Sequence, residues 1–169
     1  DQDYVQKFCD DLDVPFYYEI VDAKDIVDST KSVCFLCAWH RRKRLFSKMG
    51  ELGCNKLAFG HHQDDAIETL LLNMVFHGDM SSMPPKLAMF DDEFDIIRPL
   101  ILLSDKEVAK YCKIKKFEVQ KKECAYADKS RREDMKAIIR QFERMWKKAR
   151  KNIWRSMSHV RHDYLPPEE

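Results

Sequence analysis

Two cysteines three positions apart, Cys34-Phe35-Leu36-Cys37, are the first residues in this chain whose spacing suggests chemistry. Thiolates at that separation can grip one metal ion or cluster. They also fall at the mouth of an expected helix, whose N-terminus lowers thiol pKa and favours the ligand form. Two buried cysteines, or a redox pair, would carry the same spacing. No second C-x-x-C occurs, so a zinc ribbon built from two such pairs is not supported. A further thiolate must come from Cys9, Cys54, Cys112 or Cys124. Cys9 and Cys112 lie on expected helices and read as core, and Cys54 follows a helix end beside a buried strand. Cys124 lies in a polar, lysine-flanked connection, a better place for a ligand. Three thiolates would leave one iron of an iron–sulfur cluster open to an outside ligand.

A second group is compact: His61, His62, Asp64 and Asp65 within Gly60-His61-His62-Gln63-Asp64-Asp65. Asp65 can serve as a helix N-cap and Asp64 as a partner of the helix dipole, and one histidine can pack beneath the turn. Its place at the carboxyl edge of an expected sheet, where α/β proteins bind ligands, argues for function. Arg41, Arg42, Lys43 and Arg44 follow Cys37 on the same expected helix. Four successive cations surround a helix instead of lining one face, so at least two read as solvated surface. The others can meet phosphates, since they lie about a turn from the cysteine pair.

These groups need elements to hold them. Tyr4–Leu12 reads as a short helix, stopped before Pro15, and Phe16–Val21 as a β-prone run. Cys34–Leu52 is expected to be helical, Lys56–Gly60 a buried strand, and Ala66–Phe76 a helix with Ile67, Leu70, Leu71, Met74 and Val75 as its apolar stripe. Gly78–Asp92 reads as a loop around Pro84-Pro85, and Ile96–Leu102 as a strand interrupted by Pro99. Helices are expected over Asp105–Lys115 and Arg131–Lys148. Asp65…Glu68, Ser104…Glu107 and Ser130…Glu133 each resemble a capping box. Strands alternating with helices imply an α/β fold with a parallel sheet, so the loop after Lys56–Gly60 is where chemistry belongs.

Composition sets outer limits. With 169 residues and 44% hydrophobic content, the chain suits a single domain with a real core. No apolar run approaches the roughly 18 residues that span a bilayer, and the acidic, polar start is unlike a signal peptide. The six cysteines therefore read as free thiols or ligands in a cytoplasmic protein without a membrane partner. Net charge is only +1, yet Ser104–His162 holds 19 Lys or Arg against 8 Asp or Glu. A basic, helical C-terminal part from about residue 104 beside an acidic body fits a nucleic-acid surface, and equally a solvated lysine-rich helix face.

In combination the motifs become specific. Cys34-x-x-Cys37 with its basic helix, Gly60-His61-His62-Gln63-Asp64-Asp65, Glu68-Thr69-Leu70 and Leu72-Asn73-Met74 resemble the tRNA 2-thiocytidine synthetase family. Met83-Pro84-Pro85-Lys86-Leu87 and Arg98-Pro99-Leu100 fit the same pattern, so the resemblance covers essentially the whole chain. It implies the ATP-pyrophosphatase superfamily and its Rossmann-like, parallel-sheet adenine-nucleotide domain. It also implies a 4Fe–4S cluster on Cys34, Cys37 and Cys124, which would bind sulfide at its open iron and pass it on. The implied reaction adenylates the C2 oxygen of a cytidine in tRNA, displaces it with sulfur, and releases AMP and pyrophosphate. Asp64 and Asp65 would position Mg2+ or the attacked base near ATP, with His61 beside them and Gly60 and His61 facing the nucleotide. Arg41, Arg42, Lys147, Lys148, Arg150 and Lys151 would meet tRNA phosphates. The sulfur would come from sulfide or a cysteine-desulfurase relay, and a homodimer is left open.

One departure is large. The family's Ser-Gly-Gly-Lys-Asp-Ser nucleotide loop is absent, and the four glycines (Gly50, Gly53, Gly60 and Gly78) lie elsewhere. Such a loop offers backbone N–H groups to phosphates. The expectation is an N-terminally truncated, partial domain that does not turn over ATP by itself. Two alternatives stand beside this reading: another RNA-modifying relative, such as a uridine thiolase or lysidine synthetase, and a non-catalytic metal- or RNA-binding module.

Overall fold

The computed structural model describes residues 2–20, 33–118 and 131–166. Its elements run α1 (Gln2–Asp11), α2 (Val33–Glu51), β1 (Lys56–Ala58), α3 (Gln63–His77), β2 (Lys86–Met89), β3 (Phe94–Ile97), α4 (Asp105–Ile114), α5 (Arg131–Met145) and α6 (Ala149–Ser156). A single 3-10 turn, His162–Tyr164, follows.

The sheet has the order β1-β3-β2. β1 runs parallel to β3, with Leu57 opposite Ile96, as the alternation of strands and helices implies. β2 corrects the expectation of a purely parallel sheet, because it pairs antiparallel with β3, with Leu87 opposite Ile96. It also corrects the loop expected over Gly78–Asp92. Pro84-Pro85 do interrupt regular structure, but pairing resumes at Lys86, immediately after them. No crossover is needed between β2 and β3, because Phe90, Asp91 and Asp92 turn the chain with φ of 51°, 54° and 68°. The β-prone run from Phe16 to Ile20 forms no strand. Its aromatic content favours a pleated surface, yet Tyr17, Tyr18 and Ile20 are exposed and no described strand pairs with it.

Met49, Phe94 and Ile96 form one apolar cluster, closed by Phe46, Leu57, Phe59 and Met89, and this seats α2 on the sheet. A second buried set, Ala66, Ile67 and Leu70 with Met135 and Ile139, lies where α3 packs on α5. Fully burying an aliphatic side chain such as Ile67 or Ile139 contributes about 1.5–3 kcal/mol. The outcome is that α5 and α6 are held against α3, the helix that follows the Gly60–Asp65 turn.

Candidate functional site

β1 ends at Ala58, and Phe59 continues its pairing by donating its N–H to the Ile97 carbonyl at 2.9 Å. The chain then turns through Gly60 and His61 into α3. His62, with extended backbone angles, is the N-cap, so the expected Asp65…Glu68 capping box is displaced by three residues. Asp65 is the third residue of the helix, and its carboxylate accepts from the His62 N–H at 2.9 Å. The physical reason is the compactness of the turn, which lets the helix begin at Gln63, right after the histidines. The Ser104…Glu107 box forms as expected, with Ser104 Oγ accepting from the Glu107 N–H and Glu107 answering the Ser104 N–H at 2.8 Å. Ser130 lies outside the described residues.

Asp64 is 6% exposed and holds three elements together. One oxygen accepts from the Asp105 N–H at 2.7 Å, satisfying a donor in the first turn of α4. The other is bonded to Arg150 Nη1 from α6. Arg150 in turn grips Glu143 of α5 with two bonds, Nε at 2.9 Å and Nη2 at 3.1 Å. Such a fork fixes direction as well as charge. Arg132 of α5 repeats the arrangement on the neighbouring carboxylate, with Nη1 2.9 Å from Asp65 Oδ1 and 3.6 Å from Glu68 Oε2.

Glu68 is 4% exposed, and its Oε2 has no hydrogen-bond donor among the described residues. Burial raises its carboxyl above the usual range, opposed by the charges of Lys136 and Arg132. His61 is half-buried, its ring 5.3 Å from that of Phe59, and burial lowers its pKa from 6.5. At neutral pH it is therefore an uncharged donor and acceptor. Burial also lowers the Arg150 pKa, which still leaves it a cation at neutral pH.

His62, Asp64, Asp65, Glu68, Lys136 and Arg150 border a cavity of about 410 Å³, which also meets Ser104 at the start of α4. The structure thus joins Asp64 and Asp65, as the sequence suggests, to Glu68, Arg132, Glu143 and Arg150, of which the sequence singles out Glu68, as a cap and motif residue, and Arg150. A further signal for Glu68 was available, since it follows Asp64 by four residues on one helix face. None existed for Arg132 and Glu143, whose partnership is made by tertiary packing. Arg150 faces inward onto two carboxylates, whereas Lys147, Lys148 and Lys151 are exposed. Arg41 and Arg42 are exposed on α2, Arg42 donating back to its own helix at the Ala38 carbonyl.

The fit of the expected cofactors differs. Cys34 and Cys37 are free and exposed in the first turn of α2, three residues apart and so on one face, which suits a pair of thiolate ligands. Cys124 lies outside the described residues. Asp64 and Asp65 suit a resident Mg2+ poorly, because each carboxylate oxygen already accepts from a guanidinium or a backbone N–H. Among the described residues no group of three His, Cys, Asp or Glu is arranged to hold a metal. Gly60 has open space where a Cβ would stand, so a ligand can approach the backbone there.

Comparison with known proteins resolves the family. The sequence model described as PP-loop domain matches residues 1–143. The chain belongs to the PP-loop domain family. Within this family, it is 36% identical over 154 residues to a tRNA-cytidine(32) 2-sulfurtransferase of Paraburkholderia phytofirmans, covering 88% of this chain and 46% of that protein. A protein of the same name from Janthinobacterium sp. is 34% identical over 163 residues, covering 94% of this chain and 51% of the relative. The chain thus spans about half the length of the curated relatives it matches. Among solved structures, the U34-tRNA thiolase NcsA of Methanococcus maripaludis with its [4Fe-4S] cluster superposes with a TM-score of 0.70. That match has 23% identity and covers 97% of this chain and 56% of the other, and it establishes a shared mixed α/β fold. No helix among the described residues is long and apolar enough to cross a membrane.

Proposed function

We propose that this PP-loop domain chain works in ATP-dependent tRNA thiolation, placing sulfur at C2 of a cytidine by way of adenylation and an iron–sulfur cluster. The observation that carries the reading is the 36% identity, over 88% of the chain, to a tRNA-cytidine(32) 2-sulfurtransferase. Cys34, Cys37 and Cys124 hold the cluster, which when bound supplies the sulfur-transfer chemistry. Exposure of the first two supports this, since a cluster that hands on sulfur must be reached from solvent.

The chain's own residues organise the rest. Asp64 holds Arg150 at the cavity, and Lys136 and Arg140 line it too, so cations stand where a phosphate or a developing oxyanion would be stabilised. His61, uncharged at neutral pH, exchanges a hydrogen bond with a nucleotide beside Gly60 in this reading. Lys147, Lys148 and Lys151, with Arg41 and Arg42, meet tRNA phosphates, and Arg150 supports them from within by fixing α6. No step on ATP or Mg2+ is assigned to these residues, because they include no glycine-rich phosphate cradle.

The test is made in the cell that encodes the protein. Cys34→Ala and Cys37→Ala are introduced, and bulk tRNA is digested to nucleosides for mass spectrometry. Loss of 2-thiocytidine is expected. Loss of 2-thiouridine would transfer the reading to a uridine thiolase, and unchanged thionucleosides would leave a non-catalytic module.

A further inference from the structure

A second cavity, of about 640 Å³, opens between residues 80–85 and the C-terminal residues 154–165. Its walls are mainly apolar, with Leu70, Met83, Pro84, Trp154 and Met157, and His162 adds a polar edge. Exposed apolar concavities of this size mark binding sites more often than accidents of packing.

The wall formed by 80–85 has no regular structure, yet it is pinned throughout. Asn73 Nδ2 donates to both Ser81 O and Ser81 Oγ at 3.0 Å. Ser82 Oγ donates to the Ala66 carbonyl at 2.6 Å. Arg98 then fastens both prolines, with its backbone N–H on Pro85 O at 2.8 Å and Nη1 on Pro84 O at 2.6 Å. Arg98 is 9% exposed, and burial lowers its pKa. Arg98 has no carboxylate partner among the described residues, and burying such a cation is costly, so the fold accepts a penalty to keep this wall in place. A rigid wall of this kind makes the cavity pre-formed, and less ordering is required on binding.

The opposite wall lies in a basic field. Lys151, Trp154 and Ser158 follow one row of α6 and its extension, and Arg155 and Arg161 are next in sequence to lining residues, Arg161 lying over the Tyr164 ring at 4.3 Å. All three of these cations are exposed, and none forms an ion pair with a described residue. Among the described residues no carboxylate lines the cavity. Its occupant must combine a flat, apolar face with an anionic backbone, which describes an unpaired nucleotide of single-stranded RNA.

We propose that this cavity receives one extruded base of an RNA loop against Trp154, while the adjoining phosphates meet Lys151, Arg155 and Arg161. The assignment deepens the RNA-directed function above and rests on it. It adds a second anchoring point, distinct from the cavity at Asp64 and Arg150.

The test uses the full chain carrying 5-fluorotryptophan, whose three tryptophans are assigned with Trp154→Tyr. Titration with an RNA hairpin that has an unpaired loop should move the Trp154 fluorine signal. Single abasic positions through the loop, read on the unsubstituted chain, should weaken binding about 5- to 150-fold at one position. Trp154→Leu should lose a similar factor on the intact hairpin and nothing more on that abasic one, while Trp154→Tyr restores most of the affinity. RNA that binds with steep salt dependence but ignores every abasic position and leaves the Trp154 signal still would overturn the base pocket and spare the phosphate surface. Absence of RNA binding at low salt would overturn both.

Discussion

Asp64 is a carboxylate with three obligations: to its own helix, to the Asp105 N–H, and to Arg150. Removing the cation leaves a buried charge with one donor, so Arg150→Met should cost about 2 kcal/mol, less than a fully buried pair because Arg150 is about a quarter exposed. Combined with Asp64→Asn the loss should be smaller than the sum, with a coupling of about 1–2 kcal/mol in denaturant unfolding; strict additivity would break the proposed link. Glu68 makes the complementary case. Its carboxyl is raised above 4.5 by burial, so between 4.5 and the raised value the folded state holds more protons than the unfolded one. Stability therefore falls as pH rises through that window. Glu68→Gln should flatten this slope, melting higher than the parent at neutral pH and converging with it below about pH 4. Equal melting points across the range would show that Glu68 is ionised without penalty. At this scale the sequence was half legible. His61, Asp64 and Asp65 are conspicuous because they are crowded at a turn. The arginines that neutralise the pair are 67 and 86 residues away, and their proximity is a product of packing that local spacing does not encode.

Among the elements, the apolar stripe over Arg131–Lys148 reads as one helix, yet α5 ends at Met145 and α6 begins at Ala149. Neither glycine nor proline marks the break. In one continuous helix Glu143 and Arg150 would sit seven residues and about 10 Å apart along the axis, too far for a forked contact. The interruption at Trp146–Lys148 brings them together and aims Arg150 at Asp64, so tertiary electrostatics override local propensity. β2 is hidden for a different reason, because Pro84-Pro85 are loop signals and the four residues after them are too few to show alternation. The turn that follows them stores strain in Phe90, Asp91 and Asp92, all at positive φ. Asp92→Gly should relieve it and raise stability by roughly 0.5–1 kcal/mol in thermal unfolding. A loss of stability would show that the Asp92 side chain supports the turn. Long helices and the Ser104 cap, by contrast, were plain in the sequence because their signals are local.

For the molecule as a whole, a near-neutral net charge conceals a basic C-terminal part whose residues divide by direction. Arg132 and Arg150 face inward to the carboxylates, and Lys147, Lys148 and Lys151 face solvent. Under the proposed function, only the second group would release counterions on meeting RNA. Lys147→Gln with Lys151→Gln should therefore reduce the slope of log affinity against log salt by about 1–2 while leaving the fold intact. An unchanged slope would place the phosphate contacts elsewhere. The charge asymmetry was legible in composition, but which cations serve structure and which serve binding required coordinates. The central claim, that three cysteines of this chain hold a sulfur-transferring cluster, is tested most directly by iron and acid-labile sulfide content after anaerobic reconstitution, comparing the parent chain with Cys37→Ala and Cys124→Ala. About four irons per chain in the parent, lost in both variants, is the predicted result. A folded parent that takes up no iron, or a Cys124→Ala variant that keeps it all, would contradict the account.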